Sequence, residues 1–196
     1  LWKRLIDGEL VVPDTWEVAL SAQDGVSKKE KWERLLKEGR LGAMALLRNL
    51  RNMKQEQVDN ALVVQALQAI KAEKVLPFRF IAAARYAPQW EQYLEDAMFK
   101  CLSAQEKAAG KTVLLIDVSG SMDAQISARS EMTRMDAACG LAVLAREIYP
   151  EVEIFTFSNK TAQVPARRGF ALRDAVVNSQ LHGGTYLGKA IQDVEC

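Results

Sequence analysis

The run Val113-Leu114-Leu115-Ile116, ending in Asp117 and followed by Ser119 and Ser121, constrains this chain more than any other feature. A continuous apolar run of this length reads as a strand buried on both faces of a parallel sheet. In open α/β sheets ligands collect beyond the carboxyl ends of strands, which is where Asp117 stands. A loop leaving the strand there can turn one carboxylate and two hydroxyls, at i, i+2 and i+4, toward one point, and Gly120 relieves the crowding between them. Carboxylate, hydroxyl and water are hard oxygen donors that suit Mg²⁺ or Mn²⁺ rather than zinc. Thr185, behind Gly183-Gly184 on the loop entering the last predicted helix, offers another hydroxyl. The plainer alternative is a polar turn capping a strand.

The texture of the sequence changes at Gly110, which divides it into residues 1–109 and 110–196. Before that point the pattern is helical. Val12-Pro13-Asp14-Thr15 supplies an extended residue and a cap ahead of Trp16-Glu17-Val18-Ala19-Leu20. Helices are predicted over Lys28–Glu38, with Gly39 as the stop, and over Leu41–Met53, Val58–Lys71, a segment opened by Pro77, and Gln89–Gln105 behind Pro88. Paired amphipathic helices of this length build helical repeat arrays, although no clean sequence period is visible. After Gly110, strand 113–116, a helix over 131–148, strand 152–157 and a short antiparallel edge strand over Thr161–Pro165 give an α/β pattern. Short helices over Leu172–Val177 and Leu187–Val194 complete it.

Charge and cysteine content exclude several classes. The chain of 196 residues has a formal net charge of +1, so contact with RNA must come from a local patch rather than from bulk charge. Cys101, Cys139 and Cys196 form neither a metal-type pair nor a disulfide framework, and read as reduced thiols, Cys139 as a small core residue. That points to a reducing, cytoplasmic setting. No apolar run approaches membrane-spanning length, so no membrane partner is expected.

The residues Ile116 to Met122, together with Gly183-Gly184-Thr185, closely resemble the von Willebrand factor A domain and its metal-ion-dependent adhesion site. The resemblance implies that Asp117, Ser119, Ser121 and Thr185 surround a divalent cation, with one position left for an acidic side chain of a partner protein. The helical half resembles the TROVE module of Ro autoantigen proteins and their bacterial relatives, which immediately precedes such an A domain. Pro13-Asp14-Thr15-Trp16-Glu17, Trp32 to Leu36, Leu46 to Met53 and Pro77-Phe78-Arg79-Phe80 carry that resemblance. It implies HEAT-like helical repeats followed by a partial, Rossmann-like A domain, in a protein that binds small non-coding Y RNAs and single-stranded RNA ends and acts in RNA quality control. By the same resemblance the chain reads as a fragment: final helices of a ring and the first half of an A domain.

Arg48, Arg51 and Lys54 lie at i, i+3 and i+6 of one predicted helix, and Arg79 and Arg85 on a later one. They read either as phosphate contacts or as a solvated face near Glu56 and Asp59. Asn49 and Asn52, mid-helix despite poor propensity, favour a polar role. Trp2, Trp16, Trp32 and Trp90 suit a core better than base stacking, and His182 reads as a loop histidine. Arg167-Arg168 reads as a solvated loop beside Pro165. No enzyme pattern fits. The position two residues after Asp117 is Ser119, which cannot serve as the general acid of a haloacid-dehalogenase-type phosphotransferase, and no serine-hydrolase elbow is present. The reading is therefore a non-enzymatic Ro-type RNA-binding protein; the alternative is a metal-dependent protein-interaction module without an RNA role.

Overall fold

Local caps and amphipathic spacing build the first half of the chain. The computed structural model describes residues 6–8, 15–73, 75–103, 105–128, 130 and 132–194. Trp2, Pro13-Asp14, Glu131 and Cys196, which entered the sequence reading, lie outside the described residues. Helix α1 (Trp16–Ser21) starts at Thr15, whose hydroxyl accepts from the Val18 amide. Helix α2 (Lys28–Lys37) begins with a reciprocal Ser27–Glu30 capping box. Helix α3 (Ala43–Gln55) precedes α4 (Asn60–Gln68), which Asp59 caps. Helix α5 (Pro77–Tyr86) opens on its proline. A short 3-10 turn, Pro88–Trp90, leads into α6 (Glu91–Ser103). Trp32 and Trp90 are buried, the latter donating its indole N–H to Asn60 Oδ1 at 2.6 Å, and Trp16 stacks on Trp32. Among the described residues, no helix is long and apolar enough to cross a membrane.

The second half is a small mixed sheet with helices against it. Strand β1 (Lys111–Asp117) pairs in parallel with β2 (Glu151–Phe157), which pairs antiparallel with β3 (Thr161–Gln163). The order is β1-β2-β3. The β1–β2 crossover runs through α7 (Arg134–Ile148), which packs on both strands. Helix α8 (Gly169–Val177) packs on α7, and α9 (Leu187–Val194) lies against β1 and β3.

The two halves are joined by a continuous buried core in which Phe80, Leu94 and Met98 belong to the same cluster as Val143, Ile154 and Leu172. Helix α5 crosses α7 at Gly140, where a side chain would press to within 2.7 Å of Phe78 Cβ. Only glycine permits that approach. Arg167 and Arg168 lie in an exposed loop, from which Arg168 binds Glu147 through two bonds of 2.7 and 2.5 Å and stacks over Phe99 at 4.9 Å.

Four expectations are corrected. Strand β1 is not buried on both faces: Val113 is 43% exposed, because β1 pairs only with β2 among the described residues and α9 covers it partially. Strand β3 stops at Gln163, short of Pro165. Helix α7 begins at Arg134 because Thr133 and Asp136 form a capping box there. Helix α8 begins three residues early, at Gly169, because Glu95 of α6 accepts from the Phe170 amide at 2.6 Å and caps it from another element.

Candidate functional site

Two clusters of polar side chains stand near the junction of the halves. The first is the loop after β1. Asp117 Oδ1 accepts from the Ser119 amide at 2.8 Å, and the Ser119 and Ser121 hydroxyl oxygens lie 3.2 Å apart. Ser119 is 2% exposed, Asp117 half-buried and Ser121 exposed, so the three grade from protein to solvent around one point. A short 3-10 turn, Gly120–Asp123, follows and fixes the spacing of Ser121.

The loop carrying Thr185 comes to meet this turn. The Gly120 amide donates to the Gly183 carbonyl at 3.2 Å, two residues before the exposed Thr185. Ser158 and Asn159, at the carboxyl end of β2, hold that second loop in place. The buried Ser158 hydroxyl donates to Leu181 O at 3.0 Å and accepts from the Gly183 amide at 2.8 Å, and the Gly184 amide donates to Asn159 Oδ1 at 2.7 Å. A Cβ on Gly183 would overlap the Asn159 carboxamide, which is why glycine occupies that position. His182, in the same loop, contacts the Val177 carbonyl at 3.0 Å and Asp123 Oδ2 at 3.4 Å. The carbonyl first, and then Asp123, hold its pKa above the ordinary imidazole value.

This donor set fits a hard divalent cation. Its members are one carboxylate and hydroxyls, all hard oxygen donors; among the described residues no group of three His, Cys, Asp or Glu is placed to hold a metal ion. Asp117, Ser119 and Ser121 are brought together, and Thr185 lies on the loop that abuts them.

The second cluster is a 540 Å³ cleft between α3, α5 and the loop that precedes α7. Arg48, Arg51 and Asn52 of α3 face Arg79 and Tyr86 of α5 across it, with Ser130 and Met132 closing one end. Arg51 lies 5.5 Å from the Tyr86 ring centroid and Arg79 5.1 Å from that of Phe78. Asn52 donates to Asn49 Oδ1 at 2.9 Å, and Asn49 to the Ala45 carbonyl, so the mid-helix asparagines are tied to their own helix with Asn52 at the cleft. Among the described residues the charged groups lining this cleft are the three guanidiniums of Arg48, Arg51 and Arg79.

The two remaining basic residues fall elsewhere. Lys54 is exposed and is not part of the lining; i+6 places it about 120° around the helix from Arg48. Arg85 is ion-paired with the buried Asp136. Sequence reasoning missed Tyr86, Ser130, Met132, Ser158 and Asn159. Of these only Ser158-Asn159 left a trace: polar residues at the carboxyl end of a parallel strand.

Fold and site together define a helical module joined to an α/β unit whose first strand ends in a hydroxyl-rich loop. The chain belongs to the TROVE family: the model of the TROVE domain matches residues 6–147, running across the junction into α7. It is 39% identical over 77 residues to the telomerase protein component 1 of Mus musculus, covering 36% of this chain and 3% of that protein. Its fold is similar to that of the Deinococcus radiodurans Ro (Rsr) protein, with a TM-score of 0.57 at 20% identity over 89% of this chain and 46% of that one. The chain thus spans less than half the length of either relative.

Proposed function

We propose that this chain is part of a Ro-type RNA-binding protein, acting without catalysis in a cytoplasmic ribonucleoprotein. One observation carries the reading: Arg48, Arg51 and Arg79, drawn from two helices, converge on a single cleft beside Tyr86 and Asn52. Guanidiniums grip phosphates through paired N–H donors, an aromatic face stacks on an unpaired base, and a carboxamide reads a base edge. The cleft therefore suits a single-stranded end of a small structured non-coding RNA, of the kind handled in RNA quality control. The paired helices α2 to α6 are read as HEAT-like repeats, and β1 to α9 as the first half of a von Willebrand factor A domain. In that domain Asp117, Ser119, Ser121 and Thr185 would hold Mg²⁺, or Mn²⁺, and present it to an acidic group of a partner protein.

The two roles separate experimentally. In EDTA, a labelled single-stranded oligonucleotide is expected to bind more tightly than a blunt duplex, and R48A/R51A/R79A to lose that binding while Asp117→Ala keeps it. A protein that binds no RNA in low salt, yet captures an acidic peptide in a Mg²⁺-dependent, Asp117-dependent way, would be an interaction module without an RNA role.

A further inference from the structure

The loop between the cation-type turn and α7 belongs to both sites. Ser121 stands at its beginning, and Ser130 and Met132 near its end form the wall of the arginine cleft. It is a narrow hairpin. Gln125 and Thr133 form an isolated bridge, the Ile126 amide donates to the Met132 carbonyl at 2.9 Å, and the Arg134 amide to the Ala124 carbonyl at 3.0 Å. Ile126 is 50% exposed and Ser127 and Ala128 are exposed, whereas Met132 on the other side is buried. The exposed side, residues 124–128, tied by few backbone bonds and burying little apolar surface, sits at the low end of local stability.

Its far end is anchored to the start of α7 and, through it, to α5, which lines the cleft. Thr133 caps α7 together with Asp136, and the same carboxylate receives Arg85 of α5, one residue before the cleft's Tyr86. Its near end is braced by Arg134, whose guanidinium reaches back to donate to the Ser121 carbonyl at 3.4 Å. A cation in the first turn of a helix opposes the helix dipole, so the position of Arg134 is explained by that reach rather than by helix stability.

We propose that the hairpin formed by residues 124–126 against 132–134 couples the two sites, so that single-stranded RNA seated against Ser130 and Met132 raises the affinity of Asp117, Ser119 and Ser121 for a divalent cation, and the cation raises the affinity for RNA. This rests on the RNA and cation assignments made above. The physical cause is shared ordering. Either ligand fixes the hairpin, and the second then binds a segment whose conformational entropy is already lost. Such linkage is reciprocal by thermodynamic necessity.

The test is a Mn²⁺ titration followed by electron paramagnetic resonance, with and without a saturating single-stranded oligouridine, Asp117→Ala serving as the blank for Mn²⁺ held by RNA alone. The expected result is a rise in Mn²⁺ affinity of roughly fivefold or more on adding RNA. Arg134→Gln, which loses the brace to Ser121, and Ile126→Pro, which loses the amide donor of the hairpin, are each expected to cut that rise. In both, Mn²⁺ binding without RNA and RNA binding in EDTA should stay close to those of the unmodified chain. If the unmodified chain binds Mn²⁺ and RNA separately but neither changes the other, the coupling is overturned and the site assignments stand. If the rise survives in both hairpin variants, it is long-range electrostatics and the hairpin route is wrong. Failure to bind Mn²⁺ at all, or RNA at all in EDTA, overturns the assignments and the coupling with them.

Discussion

Arg85 of α5 and Asp136 of α7 form an ion pair across the junction of the two halves, and the same aspartate closes the capping box that starts α7. Asp136 is 5% exposed, so its carboxylate depends on these partners. Asp136→Ala removes the cap and the ion pair to the partly exposed Arg85, and is expected to cost about 1–3 kcal/mol in urea denaturation. Arg85→Ala should cost less than Asp136→Ala, because the capping-box donors remain. Equal costs would mean the cap contributes nothing.

Gly183 is the contact on which the second donor loop turns. Gly183→Ala drives a methyl into the Asn159 carboxamide and should displace Thr185, at a cost of about 1–3 kcal/mol. Mn²⁺ affinity is expected to fall with it. Adding Asn159→Gly should recover part of the stability, because the obstructing group is gone; no recovery would place the strain elsewhere.

Cys139 is 1% exposed, and burial, reinforced by Asp136, pushes its thiol up to about 12. The neutral thiol is the form the fold favours. Its contribution is complete below the unfolded-state value near 9 and is lost as pH rises through about 12. Alkylation with iodoacetamide at pH 8 should therefore spare Cys139 in the native protein and modify it on unfolding, as peptide mass mapping would report. Rapid native labelling would contradict the packing of α7.

The sequence exposed some of this architecture and hid the rest for identifiable reasons. The closeness of Asp117, Ser119 and Ser121 is legible because they share one loop and one strand end. Arg48 and Arg51 were legible because helical spacing places them on a face, and the same arithmetic shows why Lys54 drifts out of the cleft. The role of Arg85 was not, since its partner lies 51 residues away. The early start of α8 was hidden for the same reason, its cap being Glu95 on another helix. The exposure of Val113 was misread because an apolar run signals burial by a neighbour without saying which neighbour is present. Ser130 and Met132 carry no motif, and only the folded hairpin brings them to the cleft.

If the guanidiniums of Arg48, Arg51 and Arg79 contact RNA phosphates, single-stranded RNA binding in EDTA depends on salt differently in the unmodified chain and in R48A/R51A/R79A. For single strands the slope of log affinity against log salt is about −0.7 per phosphate contacted, so loss of three contacts should make it shallower by about 2. Parallel slopes for the two proteins, whatever their absolute affinities, would show that these arginines do not touch phosphate.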